Sequence, residues 1–573
     1  MDPLDAIVFG ATGFIGRSLV AELLTQGQRV AAAVRKDTLS PWLISQGVDT
    51  GSLEIATADI TRPLSGLPEV RDVYNTAGRY AFGLGVEEAR ATNVTGALHV
   101  LEWATALPSL RRLVHISGYR VSAVDGSPDY AALGAYEASK IEGDQALRAR
   151  ARELNVPLNI VNPGVVIGPG QFIGLATLVE DLWNGRLPAV PGSADTFVPI
   201  TALDHLVRFM ARLPTSPAGV HHWVLDDTTP RLPELIGTIA DHTGTRAPRR
   251  TVPVGLIRHL PRKLTGADPE TLSFLSTDRY PTAGAHAFAT DAGLRTPAAT
   301  DALHTWADDL VAARFGATSP WLRPYGFHPI AGSRTWLTGD RHRPDHVLLH
   351  GAPMNADLWA PLASLLTGPV LAPDLPGLGR SSATAQPMDT WLAQLLDSVQ
   401  TRPVLVAHSL ACAPALRFAI DHPTRISGLV LVSPSFLQAP ASPLARSPLA
   451  APLMRRMSPT RLARTLGVPN GVEVKSAAAD LHRPGVARRV AAALRADITR
   501  RSGSRALLDQ VSVPVQIIVG STDPLVTPVD HPVTEVAGAG HYPQLTHPAL
   551  VAAQFGSATV RPVHHPVSAA TLN

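Results

Sequence analysis

The stretch Gly10-Ala-Thr-Gly-Phe-Ile-Gly16 directly follows a short apolar run at residues 6–9. The run predicts a first β-strand, the glycines a tight turn, and the residues after them a helix. Gly10 permits the turn, Gly13 lets the backbone approach a pyrophosphate at the helix N-terminus, and Gly16 lets the helix pack against the strand. Because strand, turn and helix all surround the motif, it predicts a dinucleotide site and not an incidental glycine-rich turn.

Length and composition limit the classes of protein to consider. A chain of 573 residues exceeds the size of a single core, and 45% hydrophobic with 17% charged residues is typical of soluble globular domains. The net charge of +3 is too small to indicate a nucleic-acid partner. Cys412 is the sole cysteine, so no disulfide can form within one chain. We expect no transmembrane segment and no cleavable signal, and therefore a cytoplasmic protein.

Residues 1–170 alternate strand and helix patterns, which predicts a doubly wound parallel sheet. The second predicted strand, at residues 29–34, is followed by Arg35 and Lys36, where an acidic residue would hold a free ribose 2′-hydroxyl. Two cations suit a 2′-phosphate, which favours NADP, with NAD as the alternative. The competing interpretation is that both are ordinary solvated surface charges.

Tyr136 and Lys140 are four residues apart in a predicted helix. Residues at this spacing share a helix face, so the phenol and the ammonium can reach the same ligand. A nearby ammonium favours the phenolate, which brings the tyrosine within reach of proton transfer near neutral pH. A surface tyrosine beside a surface lysine is the plainer alternative.

With these motifs, residues 7 to about 315 resemble the extended short-chain dehydrogenase/reductase family, which includes proteins like the NAD-dependent epimerases and dehydratases. The resemblance implies that Tyr136 exchanges a proton with the substrate oxygen while a hydride moves to or from nicotinamide. It also implies that Lys140 holds the nicotinamide ribose and lowers the pKa of Tyr136. The residues that it places at the cofactor are Gly10, Thr12, Gly13, Phe14, Ile15, Gly16, Arg35, Lys36, Asp59, Ala77, Lys140 and Pro163.

One position departs from this family's pattern. Ser117-Gly118 follows the fifth predicted strand, and the family's catalytic serine or threonine normally occupies the position of Gly118. That hydroxyl orients the substrate carbonyl, so Ser117, Tyr119 or Ser122 would have to replace it, and the sequence does not choose among them. We assign Ser117 as the candidate. The domain could also bind nucleotide without turning it over.

The segment from residue 171 to about 315 has a looser pattern, which fits the variable part of that family that closes over the substrate. Residues 246–263 carry four arginines among apolar residues; we expect a solvated amphipathic helix, with membrane contact as an alternative. The pairs His221-His222 and His564-His565 lack companion ligands at metal spacing, so we expect no metal.

A second, unlike unit begins after a linker-like stretch at residues 316–328. A predicted strand at 404–406 leads into Ala407-His-Ser409-Leu-Ala411, a strand-to-helix elbow with a serine at its tip. Later strands precede Asp523 and His541, so the triad order is serine, aspartate, histidine.

Residues 329 to about 557 therefore resemble the serine α/β-hydrolase family over nearly the whole fold. The resemblance implies that Ser409 is the nucleophile, His541 the general base, and Asp523 the residue that fixes the imidazole tautomer. Backbone N–H groups of Ala352 and Leu410 would form the oxyanion hole. Cys412, three residues past the nucleophile, is interpreted as a small packing residue.

Residues 434–510 are inserted where this family carries its cap, and we call them the cap. Between residues 446 and 505 the cap has 13 Lys plus Arg against 3 acids, whereas the rest of the chain is net negative. The plain interpretation is an arginine-rich solvated surface. The sharper one is a field that attracts an anionic acyl substrate, such as an acyl-CoA, or an acidic lipid surface.

The sequence thus predicts an α/β protein with a Rossmann-type domain at 1–315, a linker at 316–328, an α/β-hydrolase domain with a helical cap at 329–560 and a tail at 561–573. It predicts a bifunctional enzyme. One half is an NADP-dependent reductase or dehydrogenase, or an epimerase-like enzyme, and the other cleaves an ester, thioester or lactone. The alternative is a hydrolase with a non-catalytic nucleotide-binding partner domain. We expect small-molecule substrates and no nucleic acid, and the sequence leaves a homodimer open.

Overall fold

The computed structural model describes residues 2–79, 84–121, 126–259, 275–440, 442–526 and 529–555. The chain divides into two compact units. The first consists of Met1–Val179, Leu187–Ile239 and Ala247–Asp309, and the second of Glu180–Arg186, Ala240–Arg246 and Leu310–Asn573. The proposed tail at 561–573 and Ser122 lie outside the described residues.

The first unit is built on a parallel sheet. The strands before residue 310 are β1 Leu4–Phe9, β2 Val30–Val34, β3 Leu53–Thr57, β4 Val70–Asn75, β5 Arg112–Ile116, β6 Leu158–Pro163, β7 Val165–Ile167, β8 Val190–Pro191, β9 Ile200–Ala202, β10 His221–Val224 and β11 Thr251–Val252. Seven of them pair in parallel in the order β10-β6-β5-β4-β1-β2-β3. The order reverses beside β1, which is the Rossmann-type doubly wound arrangement that the sequence predicts. Two short pairs, β8 with β11 and β7 with β9, stand apart from this sheet.

Helices cover the first sheet. They are α1 Phe14–Thr25, α2 Leu39–Ser45, α3 Val86–Arg90, α4 Gly96–Thr105, α5 Tyr130–Leu133, α6 Ala135–Glu153, α7 Leu175–Trp183, α8 Leu203–Arg212, α9 Leu232–Thr243, α10 Val254–His259, α11 Ala283–Asp291 and α12 Ala299–Ala312. Every residue of β2 and β5 is buried, because a parallel sheet is packed on both faces. The helix after the glycine turn begins at Phe14, three residues earlier than the sequence pattern indicates, so Gly16 lies inside its first turn.

The second unit is built on an eight-stranded sheet. Its strands are β12 Tyr325–Ile330, β13 Ser333–Gly339, β14 His346–Leu349, β15 Val370–Pro373, β16 Val404–His408, β17 Gly428–Val432, β18 Val515–Gly520 and β19 Val533–Val536. They pair in the order β12-β13-β15-β14-β16-β17-β18-β19. The first two strands form an antiparallel hairpin, and β14 to β19 run parallel. This order confirms the predicted second α/β sheet.

The helices of the second unit include a group inserted between β17 and β18. The unit's helices are α13 Ala360–Ala363, α14 Met388–Leu396, α15 Cys412–Asp421, α16 Pro443–Arg446, α17 Ala450–Arg455, α18 Pro459–Leu466, α19 Val472–His482, α20 Val486–Leu507, α21 Pro543–Thr546 and α22 Pro548–Phe555. Helices α16 to α20 form the predicted helical cap. In a parallel sheet the carboxyl ends of the strands lie at one edge, so the loops after β14, β16, β17, β18 and β19 converge there.

Candidate active sites

The glycine turn after β1 leaves no room for side chains. Gly10 has φ +75°, and a Cβ on it would lie 2.6 Å from the backbone N of Ala77. A Cβ on Gly16 would overlap the carbonyl oxygen of Gly10 and lie 2.7 Å from Thr76 Oγ1. The turn itself closes through the Gly13 N–H, which donates to Gly10 O at 2.9 Å. These glycines are therefore required by the packing of α1 against β1 and β4.

The N-terminus of α1 fits a pyrophosphate. Gly13 occupies the N-cap position, so no side chain caps the first N–H groups of the helix, and no acidic residue stands in its first turn. Thr12 is exposed, and Phe14 and Ile15 are half-buried. Uncapped N–H groups and the positive end of the helix dipole attract an anion, so the predicted residues at this turn fit a dinucleotide.

Arg35 and Asp59 lie in the same corner, next to the ends of β2 and β3. Arg35 and Lys36 are exposed, directly after the last residue of β2. Asp59 accepts hydrogen bonds from the Thr61 N–H at 3.0 Å and the Thr61 hydroxyl at 2.8 Å. These bonds lower the pKa of Asp59, and the charges of Arg35 and Arg62 lower it further. The corner thus combines a carboxylate whose charged form is favoured with two exposed cations.

Lys140 lies next to the carboxyl end of β5, a strand on the opposite side of β1 from β2. Its Nζ donates to the carbonyl oxygen of Ile116 at 2.9 Å, and burial lowers its pKa to about 8. Burial, assisted by the charge of Lys140, holds the pKa of His115 well below its usual value, so that imidazole is neutral. A Cβ on Gly78 would lie 3.9 Å from Lys140 Nζ. The lysine therefore faces the backbone that follows β4.

The hydroxyl groups that could orient a substrate carbonyl differ in accessibility. Ser117 is 4% exposed, and its Oγ has no hydrogen-bond partner among the described residues. Tyr119 is also buried, with its ring edge-on to Tyr280, and burial raises its pKa. Among the described residues, a Cβ on Gly118 would meet only Val121 Cγ1, at 3.9 Å. A β-carbon therefore fits at the position where the family pattern places a hydroxyl-bearing residue.

Tyr136 is half-buried in the first turn of α6, the helix that also carries Lys140. Ala77 and Pro163, the remaining predicted cofactor residues, lie after β4 and at the end of β6. Several predicted residues of the first unit thus follow the carboxyl ends of strands in one sheet, and Tyr136 lies on the helix that carries Lys140.

Sequence analysis gave no role to Asn93. Its Nδ2 donates to Ser139 Oγ at 2.9 Å, and its Oδ1 accepts the backbone N–H of Arg79 at 3.1 Å. Asn93 lies in a single π-helical turn, Ala91–Thr95, a distortion that often marks functional positions. A Cβ on Gly78 would lie within 4 Å of both Asn93 Oδ1 and Lys140 Nζ, so the two side chains converge. The only signal for Asn93 in the sequence was its position just before α4.

Ser409 stands at a strained elbow between β16 and α15. Its φ is +56°, which is unfavourable for a residue other than glycine. A Cβ on Gly351 would lie 2.7 Å from Ser409 Cβ, so glycine is required opposite the elbow. The flanking Ala407 and Ala411 are fully buried, which explains why only small residues fit there.

Three side chains join into a hydrogen-bonded chain at this elbow. His541 Nε2 lies 2.9 Å from Ser409 Oγ, and His541 Nδ1 lies 2.7 Å from Asp523 Oδ2. The backbone of His541 is held as well, since His408 Nε2 lies 2.9 Å from its carbonyl oxygen. Gln438 Nε2 donates to the backbone oxygen of Asp523 at 2.6 Å. The arrangement allows the imidazole to take a proton from the serine.

The predicted oxyanion-hole residues flank Ser409. Ala352 is buried and follows Gly351, which packs against Ser409, while Leu410 follows the serine directly. His350 fixes the loop that carries Ala352: its Nε2 accepts the Leu375 N–H at 2.9 Å. The loop is thus tied to the segment after β15.

Cys412 is fully buried, and burial raises its pKa well above the usual value. The thiol donates to the carbonyl oxygen of Ala407 at 3.1 Å. A buried, protonated thiol does not act as a nucleophile, which agrees with a packing role.

The cap arginines fall into two groups. Arg483, Arg489 and Arg501 donate to the backbone oxygens of Gly379, Gly377 and Gln438, so their charges tie the cap to core loops. The second group is exposed and therefore available to a solute; it includes Arg455, Arg456, Arg461, Arg464, Arg488, Arg495 and Arg500.

The remaining expectations concern metals and membranes. Within the described ranges, no three His, Cys, Asp or Glu side chains are grouped as metal ligands would be. Burial lowers the pKa of His222 to about 4, and its ring packs against Phe209 and Phe288. In the same ranges, no helix combines the length and the apolar character needed to cross a bilayer.

Known proteins resemble the two units separately. Residues 347–554 match the alpha/beta hydrolase family. A pimeloyl-[acyl-carrier protein] methyl ester esterase of Aromatoleum aromaticum is 30% identical over 243 residues, covering 36% of this chain and 94% of that protein. Residues 6–184 match the NAD dependent epimerase/dehydratase family. The second unit belongs to the alpha/beta hydrolase family, and the first is similar to the NAD dependent epimerase/dehydratase family.

Relatives of the epimerase/dehydratase unit are more distant. Sterol demethylase protein B of Methylococcus capsulatus is 29% identical over 276 residues, covering 44% of this chain and 79% of that protein. Among solved structures, the terminal R domain from the myxalamid PKS-NRPS biosynthetic pathway is 19% identical, with a TM-score of 0.45, covering 56% of this chain and 93% of that one. The chain therefore joins an oxidoreductase-type unit that uses a nicotinamide cofactor to a hydrolase unit.

Proposed function

We propose that the chain is a bifunctional enzyme. Its hydrolase unit cleaves an ester, thioester or lactone, and its epimerase/dehydratase unit is an NADP-dependent reductase or dehydrogenase of a small-molecule carbonyl or hydroxyl. The observation that carries the proposal is the chain of hydrogen bonds from Ser409 through His541 to Asp523. The single cysteine supports a reducing compartment, the cytoplasm, as the place of both reactions.

In the hydrolase unit, Ser409 Oγ attacks the acyl carbon while His541 Nε2 takes its proton. Asp523 holds the imidazole tautomer and stabilises the imidazolium that forms. The N–H groups of Ala352 and Leu410 are offered to the developing oxyanion. His541 then donates the proton to the leaving group, and water, activated by the same imidazole, releases the acyl group from Ser409.

In the epimerase/dehydratase unit, the uncapped N-terminus of α1 and the glycine turn would hold the pyrophosphate of the cofactor. Arg35 and Lys36 would bind a 2′-phosphate. A nicotinamide cofactor, when bound here, would supply or accept the hydride. Tyr136 gives the proton to, or takes it from, the substrate oxygen, and Lys140 keeps the phenol poised for that transfer. Ser117, whose buried hydroxyl has no hydrogen-bond partner in the described part of the chain, would orient the carbonyl.

A second function is favoured by Gly118, which removes the family's usual hydroxyl. In that alternative the first unit binds nucleotide without turning it over, and hydrolysis is the chain's sole reaction. The relatives support both interpretations, because the esterase similarity stands independently of the first unit.

Two assays test the proposal. A fluorophosphonate probe should label the wild-type chain and fail to label Ser409→Ala, whereas Ser427→Ala, a serine change away from the elbow, should label normally. NADPH oxidation over a panel of aldehydes and ketones, with NADPH binding followed by fluorescence, tests the first unit. Binding without oxidation of any carbonyl would favour the non-catalytic alternative, and absence of labelling would contradict the hydrolase assignment.

A further inference from the structure

A carboxylate from the cap reaches the hydrolase site. Asp497 lies on α20, the helix that packs against both the turn Ser409–Ala411 and the turn Ser435–Leu437. Its Oδ1 accepts a hydrogen bond from Ser435 Oγ at 2.7 Å, and its side chain is 16% exposed. Ser435 follows β17, the strand next to the one that ends at Ser409.

The charge of Asp497 is only partly offset. The nearest cation, Arg501, lies 3.9 Å from Asp497 Oδ2, beyond hydrogen-bond distance, and also donates to the backbone oxygen of Gln438. Burial raises the pKa of Asp497, against the smaller effects of Ser435, Arg501, His541 and Arg500. Because α20 contacts the Ser409–Ala411 turn and Ser435 follows the strand next to β16, Asp497 lies on the side of the sheet that carries the triad.

Such a group discriminates between substrates. A carboxylate accepts several hydrogen bonds, and Ser435 satisfies one of its two oxygens. A substrate that offers a donor there satisfies the rest, whereas one that offers a methyl group leaves a desolvated acceptor unpaired. A substrate with a carboxylate at the same place meets a like charge in a poorly hydrated site.

We propose that Asp497, positioned by Ser435, selects acyl groups that carry a hydrogen-bond donor, a hydroxyl or an ammonium, near the scissile carbonyl, and rejects acyl groups with an anion there. The inference rests on the proposed hydrolase function and narrows its substrate class. The inference also limits what the exposed cap arginines, such as Arg488 and Arg495, can attract. An anion that they attract must lie in a part of the substrate remote from the scissile carbonyl, such as the leaving group.

The test compares four methyl esters of similar length, with hydrolysis followed by proton release: 3-hydroxybutyrate, 3-aminobutyrate, butyrate and hemisuccinate. For the wild type, kcat/KM should be at least about tenfold higher for the two donor-bearing esters than for butyrate, and lowest for hemisuccinate. Asp497→Asn should abolish the advantage of the amino ester, because the charge is gone, and reduce that of the hydroxy ester, because the amide oxygen still accepts. Hemisuccinate should improve by about tenfold relative to butyrate.

Asp509→Asn is the matched control, because Asp509 is a carboxylate with 82% exposure just after the same helix. It should leave all four ratios unchanged. Fluorophosphonate labelling of Ser409 shows that each variant keeps its elbow. If Asp497→Asn does not label, Ser435→Ala decides: it should weaken the hydroxy preference and keep the rejection of hemisuccinate.

An equal loss for all four esters in Asp497→Asn would show a structural role and overturn the inference. So would a wild type that cleaves the four at similar rates. Failure of the wild type to cleave any of them or to label would instead contradict the hydrolase function itself.

Discussion

At the scale of single residues, we propose that the corner of Arg35 and Asp59 controls nucleotide choice. Arg35 is exposed directly after β2, so its guanidinium is open to solvent. A charge-assisted hydrogen bond to phosphate contributes about 1.5 to 3 kcal/mol. Arg35→Asp should therefore weaken NADPH binding by about tenfold or more and leave NADH binding little changed, as measured by fluorescence titration.

Arg71, an exposed arginine on β4, provides the control for that substitution. Arg71→Asp makes the same change of charge elsewhere and should not alter the ratio of the two affinities. Equal affinities of the wild type for NADPH and NADH would show that Arg35 and Lys36 are ordinary surface charges.

Gly118 offers a second test at this scale. Among the described residues a Cβ there meets only Val121 Cγ1, at 3.9 Å, so Gly118→Ser should fold normally and supply the missing hydroxyl. An added donor aimed at a developing oxyanion increases turnover by up to about 10²-fold. We expect NADPH-dependent carbonyl reduction to rise at least about tenfold, with NADPH affinity unchanged.

Unchanged turnover in Gly118→Ser, with full activity in Ser117→Ala, would mean that neither position orients the carbonyl. Loss of activity in Ser117→Ala alone would assign that role to Ser117.

At the scale of elements, a buried ion pair fastens cap helix α19. Asp480 accepts from Arg314 Nη1 at 2.5 Å and from Asn355 Nδ2 at 2.7 Å, and all of its contacts are shielded from solvent. Burial would raise the pKa of Asp480, but the arginine outweighs it and the pKa lies below its usual value. Removing one partner of such a pair costs about 3 to 5 kcal/mol, because the other charge stays buried. Asp480→Asn should lower the Tm of the hydrolase unit by several degrees.

The same pair predicts an acid limit. Because the folded pKa of Asp480 is below the unfolded value of about 3.9, its contribution is complete above that pH and is lost as the pH falls below it. The wild type should lose hydrolase-unit stability below about pH 4, and Asp480→Asn should lose less over that range, as followed by thermal denaturation. Asp509→Asn, at an exposed carboxylate, should match the wild type.

Exposed arginines on helix α20 lead to a prediction about the electrostatic attraction of an anionic substrate. Arg489 is held by the backbone oxygen of Gly377, so replacing it would disturb the cap, whereas Arg488 and Arg495 are exposed. If they attract an anionic leaving group, kcat/KM for an acyl-CoA should fall as salt rises from about 0.01 M to about 0.15 M, where the Debye length shrinks from about 30 Å to about 8 Å. Arg488→Gln with Arg495→Gln should weaken that dependence.

A neutral ester with the same acyl group is the comparison for the salt series, because screening acts only on a charged partner. Identical salt profiles for the two substrates would mean that the exposed arginines are ordinary solvated surface charges and do not attract the substrate.

At the scale of the whole molecule, both sheets could be predicted from the sequence, because the deciding signals are local. The glycine turn and the Ser409 elbow each consist of a strand, a turn and a helix within about twenty residues. Their backbone requirements appear directly as Gly10, Gly16 and small neighbours of Ser409. The order of Ser409, Asp523 and His541 along the chain then indicated that the second sheet is of the α/β-hydrolase type.

The side-chain contacts between residues far apart in the sequence could not be predicted. Ser435 and Asp497 are 62 residues apart, and Arg314 and Asp480 are 166 apart. No periodicity links such positions, and each residue alone resembles an ordinary loop or helix residue. The cap arginines show the same limit: their number was visible, but the division between exposed charges and those bound to backbone oxygens depends on the folded chain.

The central claim is that two separate chemistries share one chain, and one cross-comparison tests it most directly. Ser409→Ala and Tyr136→Phe are each assayed for fluorophosphonate labelling, ester hydrolysis, NADPH binding and carbonyl reduction. We expect Ser409→Ala to lose labelling and hydrolysis with NADPH binding and reduction intact, and Tyr136→Phe to lose only reduction. Loss of both activities from either substitution would contradict the account.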